Sequence, residues 1–161
     1  MKPTTTRKRF DTGLRNLYAC LVCCVLAGAC GGSMAEPEAE LRLWVERAHA
    51  AAEARDRRDL VGMISPAYAD PRGNKIGDIE NMLRAYFFRQ HTIKLVTSIE
   101  EIRLYGDSAA EIDLVAGMAG TNDGVFGYSV DAYRFQLELE RKSEDWLLLS
   151  ARWAEFGEEL Y

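Results

Sequence analysis

The hydrophobic period of this chain changes once. Up to His91 the apolar residues recur every three or four positions, and from Thr92 they recur at every second one. The first spacing is that of one helix face and the second that of one sheet face. Leu41, Trp44, Val45, Ala48, Ala51 and Ala52 form a stripe that predicts an amphipathic helix of about 18 residues. It closes in the solvated charge cluster Arg55-Asp56-Arg57-Arg58-Asp59. Asp59 is a candidate cap for a short helix through Ile64, which Ser65-Pro66 would stop. Residues 67–74, rich in turn formers, predict a turn pinned by Asp70 against Arg72 or Asn74. They lack the alternating oxygen ligands of a calcium loop. A third helix follows, with Asn74 as candidate cap and Ile76, Ile79, Met82, Leu83, Tyr86 and Phe87 as its stripe, running to about His91.

Beyond Thr92, Ile93, Leu95, Thr97 and Ile99 share one parity and Ile102 and Leu104 the other. A β-bulge at Glu100-Glu101 would reconcile them. Gly106-Asp107 marks a turn, and Ile112, Leu114, Ala116 and Met118 share a face of the next strand. The glycines between Gly117 and Gly127 predict a long, loose hairpin. Ser129, Asp131, Tyr133, Phe135, Leu137 and Leu139 then share the inward face of a long strand. The last strand, Trp146 to about Trp153, reads as apolar on both faces, so both should be covered.

Three helices and then a four-stranded meander predict an α+β domain, with the N-terminal helices packed on one face of a curved antiparallel sheet. The long first helix, the segment "SPAYAD" and the ending "EDWLLLSARW" resemble the NTF2-like superfamily of cone-shaped domains, the group that includes SnoaL-like and ketosteroid-isomerase-like proteins. The resemblance covers roughly residues 38–156 and implies one domain over 38–161. That superfamily holds isomerases, dehydratases, cyclases, transport factors and domains with no assigned role, so the fold by itself implies no reaction.

All four cysteines lie in "CLVCCVLAGACGGS", residues 20–33. Residues 1–30 carry a net +4 and leave −9 for the remainder. A basic start, an uncharged run from Leu17 to Ala29 and small residues at its end describe an export signal. Thirteen apolar residues are short of the roughly 20 that span a bilayer. Cys20 and Cys23 fit one metal clamp, but Cys24 and Cys30 make no second, and the apolar surroundings keep a thiol neutral. Leu26-Ala27-Gly28-Ala29-Cys30 resembles the lipobox of bacterial lipoproteins, with Ala where Leu is commonest three residues before the cysteine. The resemblance implies a signal peptide over 1–29, lipidation of Cys30 and a flexible tether over 30–37. Gly31, in place of the Asp that resembles an inner-membrane retention signal, implies the outer membrane, facing the periplasm.

The acidic body disfavours nucleic acid, whose phosphates need basic partners. No phosphate loop, G-x-S-x-G or H-E-x-x-H occurs, and no cofactor is implied. His49 and His91, in different elements without a carboxylate cluster, make a poor metal site. In a cone of this kind the inner face can leave a pocket, and Tyr68, Tyr86, Phe87, Met118, Tyr133 and Phe135 are its expected walls. Asp131 near the open end could act as a general base, with Tyr86 or Tyr133 as hydroxyl partner. Its alternative is a hydrated or arginine-paired carboxylate at the rim. Two functions follow: a non-catalytic domain that binds a small apolar ligand or serves as an envelope scaffold, and an isomerase- or dehydratase-type enzyme using Asp131. The last strand also suggests a homodimer through the sheet face.

Overall fold

The computed structural model describes residues 35–121 and 128–160. The export signal, Cys30 and the centre of the expected hairpin loop lie outside them. Helix α1 spans Ala35–Glu53. It takes in three residues that composition assigned to the tether; Pro37 falls in its first turn, where a missing N–H costs nothing. Arg55 closes it at φ 57° and sends its guanidinium to the carbonyls of Phe87 and His91. Part of the expected solvated cluster is therefore a clamp between two helix ends.

Helix α2 covers Arg57–Gly62 and is capped by Asp56, whose carboxylate accepts the Asp59 N–H at 3.0 Å. Asp59 lies within the first turn and is not the cap. The next residues run along the sheet edge: Ile64 bridges Leu148 in parallel, and the Ser65 and Ala69 N–H groups donate to Leu148 and Leu149. Asp70 holds the following turn by accepting from the Arg72 N–H, the Asn74 N–H and the Asn74 side chain. Both expected contacts thus occur together, and Gly73 supplies the φ of 86° the turn needs. Helix α3 is Ile76–Arg89. Asn74 is committed to Asp70, so the helix starts from Lys75, whose N–H donates to Asp78 at 2.9 Å.

Four strands follow, β1 Thr92–Tyr105, β2 Ala109–Thr121, β3 Tyr128–Lys142 and β4 Asp145–Glu155, in the order β1-β2-β3-β4, all antiparallel. The register of β1 shifts between Ile99 and Glu101, as the parity switch requires. Gly117 and Gly120 belong to β2 and not to a loop. A Cβ on Gly120 would stand 2.5 Å from the Gln90 side-chain oxygen and 3.1 Å from the Thr92 carbonyl, so a larger residue there would have to displace the Gln90 side chain where α3 ends against the strand. A second register shift, opposite Glu138 and Leu139, leaves Leu149 unpaired in β4. It keeps Trp146, Leu148, Ala151 and Trp153 on the inner face. The outer face of β4 therefore carries Leu147, Ser150 and Arg152, and the expectation of two apolar faces gives way to one.

The core sits between α1, the 64–68 segment and the turn end of the sheet. Leu41, Ile112 and Leu139 are wholly buried there, with Val45, Ala110 and Trp146 around them. Glu40 on α1 accepts from the Trp146 indole and from Arg141, both at 2.9 Å, and fastens the helix to the sheet.

Candidate functional site

Toward the other end the inner face of the sheet is hollow. A cavity of about 520 Å³ lies between α3 and the sheet. Helix α3 lines it with Ile79, Met82, Leu83, Tyr86 and Arg89, positions three or four apart that its spacing places on one side. The sheet contributes Met118, Tyr133, Phe135, Leu137, Leu148, Ala151 and Trp153, all of inward parity. Tyr68 closes one side from the turn before α3. The volume is in the range of roughly 300–1,000 Å³ typical of small-molecule sites.

Polar groups gather at one place. The Tyr86 hydroxyl is buried and has no hydrogen-bond partner among the described residues. An unpaired buried hydroxyl is costly, on the order of 1–3 kcal/mol, and such groups call for a ligand, water or a mechanism. Burial raises the Tyr86 phenol above its ordinary range, and the nearby Asp131 charge and Tyr133 add to this while Arg89 opposes it. Tyr133 is raised likewise, by burial first and then by Asp131 and Glu155. Both phenols are therefore neutral donors at physiological pH.

Asp131 is half-buried, opposite Met118 in the β2–β3 register. It is not one of the cavity walls. It lies close enough for its charge to act on both phenols and makes no hydrogen bond among the described residues. Next to it, Ser129 accepts from the Gln90 amide at 3.2 Å.

Of the residues expected to form the pocket, the fold brings Tyr68, Tyr86, Met118, Tyr133 and Phe135 to one cavity. Phe87 is placed elsewhere: it is buried on the neighbouring side of α3, its ring tilted against Tyr86 with centroids 6.3 Å apart and its carbonyl held by Arg55. Tyr68 is buried and its hydroxyl donates to Asp70 at 3.4 Å, so it is a wall and not a free donor. Burial and the adjoining carboxylate push its phenol far up. The sequence reading missed Arg89 and Trp153. Arg89 could have been found from its three-residue step beyond Tyr86. Trp153 was hidden by the β4 bulge.

A second chamber of about 290 Å³ adjoins the first under α1. It shares Ile79, Leu83, Met118, Phe135, Leu137 and Leu148 with the larger cavity and adds Ala48, His49 and Ala52 from α1 and Leu95 and Thr97 from β1. His49 Nδ1 lies 3.1 Å from the Thr97 hydroxyl, and its Nε2 is 3.8 Å from Glu53. Glu53 accepts the Leu95 N–H at 2.9 Å, which holds its carboxyl below the usual range and pins the end of α1 to β1. Among the described residues no group of three metal-ligating side chains converges, and no helix is long and apolar enough to cross a membrane.

The architecture matches solved structures. A ketosteroid isomerase-like protein from Erwinia carotovora atroseptica aligns with TM-score 0.62 at 11% identity over 74% of this chain and 96% of its own. A candidate scytalone dehydratase from Novosphingobium aromaticivorans gives 0.69 at 8% identity over 78% and 87%. An NTF2-like protein of unknown function in nutrient uptake from Rhodospirillum rubrum gives 0.58 at 20% identity over 72% and 98%. No family model and no curated protein matches the sequence. The fold is the NTF2-like cone, with helices on one face of a four-stranded antiparallel sheet. Identities this low carry the fold and no chemistry.

Proposed function

We propose that this NTF2-like domain is an exported, lipid-anchored binding protein that holds a small, largely apolar ligand in the hollow end of its cone. The observation that carries the reading is the cavity of about 520 Å³, its walls apolar except for Arg89 and the tyrosine hydroxyls, with the Tyr86 hydroxyl unpartnered among the described residues. Asp131, which does not line the cavity, favours binding over turnover. The test is titration of residues 36–161 with the neutral fluorophore N-phenyl-1-naphthylamine. Saturable emission enhancement is expected, and it should be lost in Ala85→Trp, a substitution at an exposed helix position that also borders the cavity. Unsaturable binding, or binding indifferent to Ala85→Trp, would remove the reading.

The address rests on the lipobox-like segment ending at Cys30. Two or more acyl chains would anchor the chain firmly, at about 0.8 kcal/mol per buried methylene. Metabolic labelling with an alkynyl fatty acid should mark the whole chain and fail on Cys30→Ala. The outer sheet face is the proposed dimer surface, where Val96 and Val130 are largely exposed. A monomer by light scattering at tens of micromolar would reject it.

The proximity of Asp131 to Tyr86 and Tyr133 supports a second reading. A carboxylate beside neutral phenols can take a proton next to a carbonyl while a phenol steadies the enolate oxygen. Incorporation of solvent deuterium into 2-tetralone, abolished by Asp131→Asn, would favour this enzyme reading. No exchange above the rate of the variant would dismiss it.

A further inference from the structure

Helix α3 supplies one edge of the mouth of the larger cavity. Met82, Ala85 and Arg89 follow one another at three- and four-residue steps, and each is both exposed and part of the wall. Arg89 is the one charged residue in that wall among the described residues. The body of the chain is acidic, so the charge at this opening is opposite in sign to the net charge around it.

The fold makes no use of that charge. Among the described residues Arg89 has no hydrogen bond and no ion pair. Its own helix offers no acid three or four residues back, where Tyr86 and Ala85 stand. A cation in the last turn ordinarily serves the free carbonyls of the helix end. Here Arg55 of α1 does so, donating to the carbonyls of Phe87 and His91, while the Tyr86 carbonyl accepts the Gln90 N–H. Arg72, the other arginine against the wall, is held in place: its guanidinium lies 4.3 Å over the Trp153 ring and donates to the Trp153 carbonyl at 2.8 Å. Two carboxylates act on the phenols at this end, Asp131 and Glu155, but neither lines the cavity and neither pairs with Arg89.

An apolar cavity with an uncommitted guanidinium at its mouth sorts the two parts of an amphiphile. The apolar body gains by leaving water for the walls. A carboxylate at the mouth keeps part of its hydration and meets a planar donor whose fork matches two oxygens. Carried further in, the same charge would lose its solvation among aliphatic and aromatic side chains. We infer that the ligand of this cavity is an apolar monocarboxylate, its tail between α3 and the sheet and its carboxylate at the mouth against Arg89. This rests on the binding reading above and adds the ligand's charge and the direction in which it lies. Arg89 is then a specificity-determining residue of the site.

The experiment uses three probes of one frame to displace N-phenyl-1-naphthylamine near neutral pH: biphenyl-4-carboxylate, the uncharged biphenyl-4-carboxamide and the cationic biphenyl-4-ylmethanamine. In the unsubstituted protein the carboxylate should bind roughly two- to tenfold more tightly than the amide, the value of one partly exposed charged hydrogen bond, and more tightly than the amine. Added salt should shrink that preference. The ratio of carboxylate to amide affinity is read within each variant, so a general change in the cavity cancels. It should fall to about one in Arg89→Gln and survive in part in Arg89→Lys, which keeps the charge and loses the fork. Equal affinities in the unsubstituted protein, or an amine that binds more tightly than the carboxylate, overturn the inference and leave the cavity reading standing. So does a preference that survives Arg89→Gln in full. Failure of the fluorophore itself to bind overturns the cavity reading and this inference with it.

Discussion

The inner face of the sheet is closed at one end and open at the other, although the same strands build both. At the closed end Ile112 and Leu139 are wholly buried against Leu41 and Trp146. At the open end Met118, Tyr133 and Phe135 face a cavity of about 520 Å³. The alternation of residues is equally regular in both halves. What differs is the cover: α1 and the 64–68 segment lie close over the closed end, whereas α3 stands off the other. Packing to crystal-like density supplies stability, and a void forfeits contacts on one side of its lining. This domain is therefore held together at one end and has volume to spare at the other.

The largest expected effect tests that division directly. Leu139→Ala should cost about 2–5 kcal/mol, because it opens a new cavity in a packed site. Met118→Ala should cost about 1 kcal/mol or less, because its side chain already borders empty space and its removal enlarges a cavity without creating one. Urea denaturation of both variants measures the difference. Equal costs would mean that the open end is as tightly filled as the closed one, and the binding reading would lose its support.

Tyr68 belongs to both halves, being a core residue and a cavity wall. Its position depends on Asp70, which is buried and accepts three bonds from residues 72 and 74. Asp70→Ala leaves those donors unpaired and should destabilise by about 1–3 kcal/mol. Its pH dependence has a definite sign. Burial alone would raise the Asp70 carboxyl, but the bonds from Asn74 and then Arg72 outweigh burial and lower it. A lowered folded pKa contributes stability above the ordinary carboxylate value, near 4, and loses it as the pH falls through the lowered one. The unsubstituted protein should therefore lose more stability than Asp70→Ala across that acid window, and the two denaturation curves should converge below it. Parallel curves would show that the turn does not depend on the ionised carboxylate.

Those two halves were not equally legible in the sequence. The change of period at Thr92 announced helices followed by a meander, and the shift from Ile99 to Ile102 located the β1 bulge because polar residues flank it. The β4 bulge was silent: Leu147, Leu148 and Leu149 are identical in character, so no parity could be assigned, and Trp153 could not be placed in the wall. Asp131, Tyr133 and Phe135 were readable because a long strand with clean alternation fixes its own inner face. The distribution of α3 residues was not. Tyr86 and Phe87 are neighbours at 100° to one another, and only the docking of α3 decides which of them meets the cavity. His49 and Thr97 are 48 residues apart. Nothing local joins them, and their meeting follows from the Arg55 and Glu53 contacts that draw the end of α1 onto α3 and β1.

The smallest expected effect lies on the opposite side of the same strands. There Arg103 of β1 reaches Glu101, Glu111 and Asp113, and Gln136 and Arg152 continue the row across β3 and β4. Hydrogen bonds that its guanidinium donates to Glu111 and then to Asp113 hold Arg103 firmly charged. Partly exposed ion pairs of this sort contribute little at ordinary ionic strength, since water competes and salt screens them. Arg103→Gln should therefore shift the melting temperature only slightly. The shift should carry a signature the inner face cannot produce. Removing the arginine leaves three carboxylates without their shared cation, so added salt should relieve the loss, as should acid that protonates them. Leu139→Ala should respond to neither, because no charge is involved in a lost apolar contact. A melting-temperature matrix over salt and pH for both variants separates the two kinds of cohesion. If the Arg103→Gln deficit stayed constant across it, the outer row would be contributing through packed side-chain stems and not through charge.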